Sequence, residues 1–175
     1  VNPHGLRVGV IKGWDSRWFA KDELVGDLIV EDYKIREYLK NSLQQAGIPT
    51  DGRYIAFSLR QWKGFPEKAP LFAAAARYAY ESYGLTPVFL SVENRQDPAA
   101  NRLAAEGLDI PHYYLDAPGP VSIIIGLLSR MEGVVSMRLH ALIFAAGQGT
   151  PLAGVVYDPK VSAFLRYIGQ DLFAE

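Results

Sequence analysis

From residue 54 onward, short apolar runs alternate with stretches whose apolar positions recur at helical spacing. Tyr54-Ile55-Ala56-Phe57-Ser58-Leu59 reads as a strand, Leu71 to Tyr83 as an alanine-rich helix stopped by Gly84, and Pro87 to Val92 as the next strand. Asp97 to Glu106 follows as a helix with Asp97 in position to cap it and Gly107 to end it. His112 to Leu115 is a short strand, Val121 to Met131 a helix, and Val134-Val135-Ser136 a strand that runs into an apolar helix. A last strand, Leu152 to Val156, leads to a closing helix. Strands separated by helical stretches of roughly 10 to 15 residues predict a parallel sheet with helices on both faces. The expected fold is therefore α/β, a Rossmann-like doubly wound sheet.

The first fifty residues follow another rhythm. Leu6 to Lys12 reads as a strand and Trp14-Asp15-Ser16-Arg17-Trp18-Phe19 as an aromatic and charged turn. Glu31 to Ala46 is a helix with Ile35, Leu39 and Leu43 on one face and Gly47 as its stop. The turn-rich stretch Gly47-Ile48-Pro49-Thr50-Asp51-Gly52 then serves as a connector or a seam. The expected organisation is an N-terminal segment 1–46, a connector 47–52 and a Rossmann-like domain 53–175.

Composition narrows the function classes modestly. With a formal net charge of −1, the chain offers no broad attraction to nucleic acid. Cysteine is absent, which removes disulfides, thiolate metal sites and a Cys nucleophile. No apolar run reaches the roughly 18 residues of a membrane span, and no signal-peptide pattern opens the chain, so a cytoplasmic protein is expected.

Candidate chemistry gathers at two strand ends. In an open α/β sheet, ligands sit outside the carboxyl ends of strands, where helix N-termini present free N–H groups. One such end carries Met137-Arg138-Leu139-His140-Ala141, and another carries Tyr157-Asp158-Pro159-Lys160. Two fixed cations and an imidazole suit a small dianion that needs a proton moved. Residues two apart do not share a helix face, so Arg138 and His140 converge only if Arg138 lies in an extended turn before the helix. The bland readings are a buried, hydrogen-bonded His140, a surface Arg138 and a solvated Lys160. Arg60 follows the first strand, where it is either a ligand contact or a solvated loop residue, and Ser58 either donates to a ligand or packs at the strand end. Asp158 reads as a helix cap, with Pro159 in the first turn.

Ser58-Leu59-Arg60, Met137 through Ala146, Gly149-Thr150-Pro151 and Tyr157-Asp158-Pro159-Lys160-Val161 stand in an order that resembles the polysaccharide pyruvyl transferases, specifically those that ketalise a cell-wall polysaccharide to anchor surface-layer proteins. The resemblance spans residues 53–175. It implies one half of a GT-B-like fold, phosphoenolpyruvate as donor substrate with no metal or other cofactor, and a polysaccharide or lipid-linked saccharide as acceptor. It also implies Ser58, Arg60, Arg138 and Lys160 as substrate-binding residues, with His140 and Lys160 as catalytic ones. Because a GT-B active site lies between two domains, binding without turnover is expected of this half alone. A nucleotide-sugar glycosyltransferase using the same cleft is the alternative enzyme reading. Apolar surface left by a missing partner domain would favour homo-oligomers.

A second resemblance concerns the other end. Val1-Asn2-Pro3-His4-Gly5-Leu6-Arg7, Trp14 through Ala20 and Glu31 through Leu39 look like the N-terminus of bacterial ribosomal protein S3. That likeness implies an RNA-associated protein, yet the Gly-x-x-Gly loop of a KH domain is missing and the segment balances seven basic against seven acidic residues. The chain thus reads as chimeric, with the larger part carrying the function. Other candidates are weaker. His4 and His112 lack partners at metal-ligand spacing, and Gly147-Gln148-Gly149 reads as a helix cap. Trp14, Trp18 and Trp62 suit a sugar platform or plain packing, and Glu93, Asn94, Arg95 and Asp97 lie at a further carboxyl edge, a weaker candidate for lining the cleft.

Overall fold

The structure is a computed structural model that describes residues 37–170. The predicted strand at Leu6 to Lys12, the turn at Trp14 to Phe19, and His4 lie outside the described residues. A helix over residues 37–45 (α1) comes first. Strand and helix then alternate as β1 (Tyr54–Ser58), α2 (Phe65–Tyr83), β2 (Thr86–Leu90), α3 (Asp97–Ala104), β3 (Tyr113–Leu115), α4 (Val121–Leu128), β4 (Gly133–Ser136), α5 (Leu139–Gln148), β5 (Leu152–Gly154) and α6 (Pro159–Tyr167).

All five strands pair in parallel, in the order β3-β2-β1-β4-β5. The order reverses between β1 and β4, whose register sets Ser58 beside Ser136. That is the switch point of a Rossmann-like sheet, where the loops leaving two neighbouring strands diverge and open a crevice.

Alternation along the strands sends side chains into two cores. Tyr54, Ala56, Val88, Leu90 and Val134 pack with Leu39 and Leu43 of α1, Leu127 of α4 and Ala141 of α5. Phe57, Leu59 and Phe89 face the other way, onto Phe65, Ala69, Phe72 and Ala76 of α2 and Ala100 of α3. Helix α2 starts six residues before the expected Leu71, although Pro66 and Pro70 lie in its first turns. Phe65, Ala69, Phe72, Ala76 and Ala79 form one buried stripe at helical spacing. Pro66 falls where helix N–H groups lack partners anyway. Burying two phenylalanines, at about 1.5–3 kcal/mol each, offsets the one hydrogen bond lost at Pro70.

The α1 helix and the connector belong to this core. Leu39, Leu43 and Ile48 are each at most 5% exposed. Gly126 of α4 admits Leu39 so closely that a Cβ there would lie 2.7 Å from Leu39 Cδ1. The Tyr54 hydroxyl donates to the Pro49 carbonyl at 2.6 Å, tying the connector to the first strand. No helix among the described residues is long and apolar enough to cross a membrane.

Candidate active site

The carboxyl edge at the β1/β4 switch point is built first by Ser136. Its Oγ accepts the Arg138 backbone N–H at 2.8 Å and shares its own proton between the Ser58 and Arg138 carbonyls, each at 3.1 Å. This holds Arg138 in extended backbone (φ −79°, ψ 115°) at the N-cap of α5, the conformation that its convergence with His140 requires. No side chain caps α5. His140 sits in the first turn, exposed, its ring 6.2 Å from that of Phe144. The reading of His140 as a core histidine therefore does not hold.

Arg138 is only 14% exposed, and it is paired. Its Nε donates to Asp97 Oδ1 at 2.8 Å, its Nη2 donates to the same oxygen, and Glu93 lies 3.7 Å away. Asp97 is fully buried. It does not cap α3, as the sequence suggested: Gln96 holds that position, and Asp97 Oδ2 instead accepts the backbone N–H groups of Val92 and Glu93 at 3.0 and 2.9 Å. The six residues between β2 and α3 are folded back over this carboxylate, which is why it points into the edge and not along the helix.

A second corner forms where the loops after β1 and β5 meet. Arg60 donates to the Tyr157 hydroxyl at 3.2 Å and lies 5.7 Å from that ring's centre. Tyr157 packs on Trp62 at 6.0 Å, and Trp62 on Phe65 at 5.3 Å, so Trp62 belongs to a packed aromatic group. Asp158 caps α6 by accepting the Lys160 N–H at 3.0 Å, and the Lys160 ammonium lies 3.4 Å from its other oxygen. The backbone hydrogen bond from Lys160, reinforced by the lysine side chain and the Arg60 charge, holds the Asp158 carboxyl below the usual carboxylate range. Lys160 is half exposed.

The edge is thus closer to charge balance than a row of bare cations. Arg138 faces Asp97 and Glu93, and Lys160 and Arg60 share Asp158. The donors left over on Arg138 include Nη1, which makes no hydrogen bond among the described residues. Ser58 is fully buried at the end of β1, and its Oγ has no hydrogen-bond partner. Among the described residues no cluster of His, Asp and Glu could hold a metal ion. His112 is engaged locally, with Nδ1 at 2.8 Å from the Ile110 carbonyl and Nε2 at 3.3 Å from the Tyr114 hydroxyl. Gly149 ends α5 in the left-handed region (φ 71°), the cap expected of it. Cavities of about 210 and 480 Å³ lie elsewhere, the first beside Leu43, Tyr54 and Arg130, the second between α2 and the end of α3. Asp97 and Tyr157 are the members of this edge whose roles local sequence does not disclose.

The family model for polysaccharide pyruvyl transferase matches residues 11–159, most of the chain. The chain belongs to the polysaccharide pyruvyl transferase family. The match takes in every residue of the edge up to Pro159 and also extends N-terminal to the connector. A shorter stretch is similar to small ribosomal subunit protein uS3. It is 56% identical over 48 residues to that of Acetivibrio thermocellus, covering 27% of this chain and 21% of the relative. For Clostridioides difficile the values are 63% over 49 residues, 27% and 18%, and for Finegoldia magna 65% over 48 residues, 27% and 20%. The chain therefore spans about a fifth of these curated relatives. Among solved structures, the glycosyl transferase family 9 protein of Veillonella parvula shares the fold, with a TM-score of 0.56 at 17% identity over 70% of this chain and 34% of that one.

Proposed function

We propose that this domain binds phosphoenolpyruvate at the β1/β4 edge as the donor half of a GT-B-like pyruvyl transferase that ketalises a cell-wall saccharide. The observation that carries the reading is the presentation of Arg138 and His140: the arginine clamped in extended backbone at an uncapped helix start, the histidine exposed in the next turn. The donor carries a carboxylate and a phosphate. Arg138, Arg60 and Lys160 supply hydrogen bonds and charge to them, and the first N–H groups of α5 add a partial positive charge. Ser58, which the family resemblance marks as substrate-binding, is fully buried at the end of β1, so a donor oxygen would reach its unpartnered Oγ only after the loop that follows β1 shifts.

The chemistry is an addition followed by a displacement. One sugar hydroxyl attacks the enol carbon as its methylene takes up a proton, giving a methyl group. A second hydroxyl then displaces phosphate from the same carbon, and its proton leaves with the phosphate. A ketal and inorganic phosphate result. In this reading His140, exposed in the first turn of α5, carries the proton between hydroxyl and methylene carbon. Lys160, half exposed at the neighbouring corner, balances the charge growing on the departing phosphate.

Phosphoenolpyruvate titration of the purified chain tests the reading, with a nucleoside diphosphate as competitor. Saturable binding that His140→Ala or Arg138→Ala weakens, and that the nucleotide leaves unchanged, is the expected result. Displacement by the nucleotide with neither variant affected would assign the edge to a nucleotide-sugar instead.

The likeness to uS3 supports a second reading for the N-terminal segment, association with small-subunit RNA. Its helix, however, already spends Leu39 and Leu43 on the core. Binding to that RNA which falls steeply with salt would favour this reading.

A further inference from the structure

We propose that Asp97 is the positioning residue of the donor site, fixing the plane of the Arg138 guanidinium; this rests on reading Arg138 as a donor-binding cation. A carboxylate has room for about four hydrogen bonds, and Asp97 uses them in two pairs. Oδ2 takes the Val92 and Glu93 N–H groups and so anchors the carboxylate to the end of β2. Oδ1 takes Nε and Nη2 of Arg138, 41 residues further along the chain. Two contacts from one planar group to one oxygen stop it rotating. The donors they leave over, Nη1 among them, point away from that oxygen.

Stability alone does not account for the pair. Removing two charges from water costs several kcal/mol per ion, and an apolar pair of similar volume commonly serves a core as well. Asp97 is fully buried and Arg138 nearly so, at the one edge of the sheet where the strand order reverses. An arginine left to swing there would lose side-chain entropy each time it met a ligand. One held by a carboxylate has lost it on folding. Asp97 touches no donor atom in this scheme and acts only through Arg138.

A double-mutant cycle tests the assignment, with phosphoenolpyruvate affinity measured by calorimetry and folding checked by circular dichroism. Asparagine cannot accept from both sides, because its amide nitrogen would face either the backbone N–H groups or the guanidinium. Asp97→Asn should weaken phosphoenolpyruvate binding about tenfold or more, and by less than about twofold in an Arg138→Ala background. Unchanged or tighter binding by Asp97→Asn, with Arg138→Ala still impaired, overturns the proposal and makes Asp97 a competitor for the guanidinium. Losses that multiply independently overturn it too. If Arg138→Ala itself binds normally, the donor reading fails and the inference falls with it. Should Asp97→Asn not fold, Arg138→Lys keeps the charge but loses the fork. A loss of about tenfold supports the proposal, and wild-type affinity overturns it.

Discussion

The two corners that flank the switch point carry the same kinds of side chain and hold them differently. After β4, Arg138 is 14% exposed and its partner Asp97 is fully buried. After β5, Lys160 and Asp158 are 50% and 36% exposed. Water screens the second pair, and an exposed ion pair of that kind contributes little. The first is shielded, its geometry fixed before any ligand arrives. The sign of a charge at a strand end therefore says little about its use. Burial decides whether a cation is a fixed part of the site or a mobile one, and the buried corner should dominate donor recognition.

The largest effect is expected at the buried corner. Arg138→Ala should cost about a hundredfold in phosphoenolpyruvate affinity, with most of the loss persisting at high salt, because the pair lies out of reach of screening ions. Equal loss at Lys160→Ala would erase the distinction between the corners. That variant should lose about threefold to tenfold in low salt, a deficit that titration in about 1 M salt largely removes. Ser58→Ala sharpens the comparison further. Deleting a buried hydroxyl without a partner should leave thermal stability unchanged or raise it by up to about 1 kcal/mol, while donor affinity falls about threefold at most. A clear drop in melting temperature would mean that the hydroxyl is satisfied.

The smallest effect concerns pH at the exposed corner. The Asp158 carboxyl titrates below its ordinary value of 3.8, chiefly because the Lys160 backbone N–H donates to it. Its folded pKa is depressed, so its contribution to the cap of α6 is present above the unfolded value and is lost as pH falls through the lower folded one. The melting-temperature gap between wild type and Asp158→Asn should therefore stay constant from neutral pH to about pH 5 and close only below about pH 4.

Much of the fold was legible because it is local. The apolar and aromatic run of β1, the Gly84 and Gly149 caps, and the Asp158-Pro159 start of α6 each declare themselves within a few residues. The extended turn at Arg138 was legible too, since a strand must end before a helix can begin. The start of α2 was hidden by Pro66 and Pro70, whose local penalty is outweighed by burial that only the assembled sheet provides. Asp97 departs from the expected cap because its partners are the end of β2 behind it and an arginine far ahead. Leu39 and Leu43 form one apolar face in the sequence, which does not say what they cover. The structure sets them against α4 at Gly126, inside the core that the later strands build.

On the proposed reading the donor binds at the β1/β4 edge, on the clamped arginine. Amide chemical-shift mapping with phosphoenolpyruvate on the isotope-labelled chain tests it most directly. Saturable shifts should concentrate at 137–141 and at the loop after Ser58, smaller ones should appear at 158–160, and Arg138→Ala should abolish the first group. Shifts that centre instead on the cavity beside Leu43, Tyr54 and Arg130, or no shifts at millimolar donor, would contradict it.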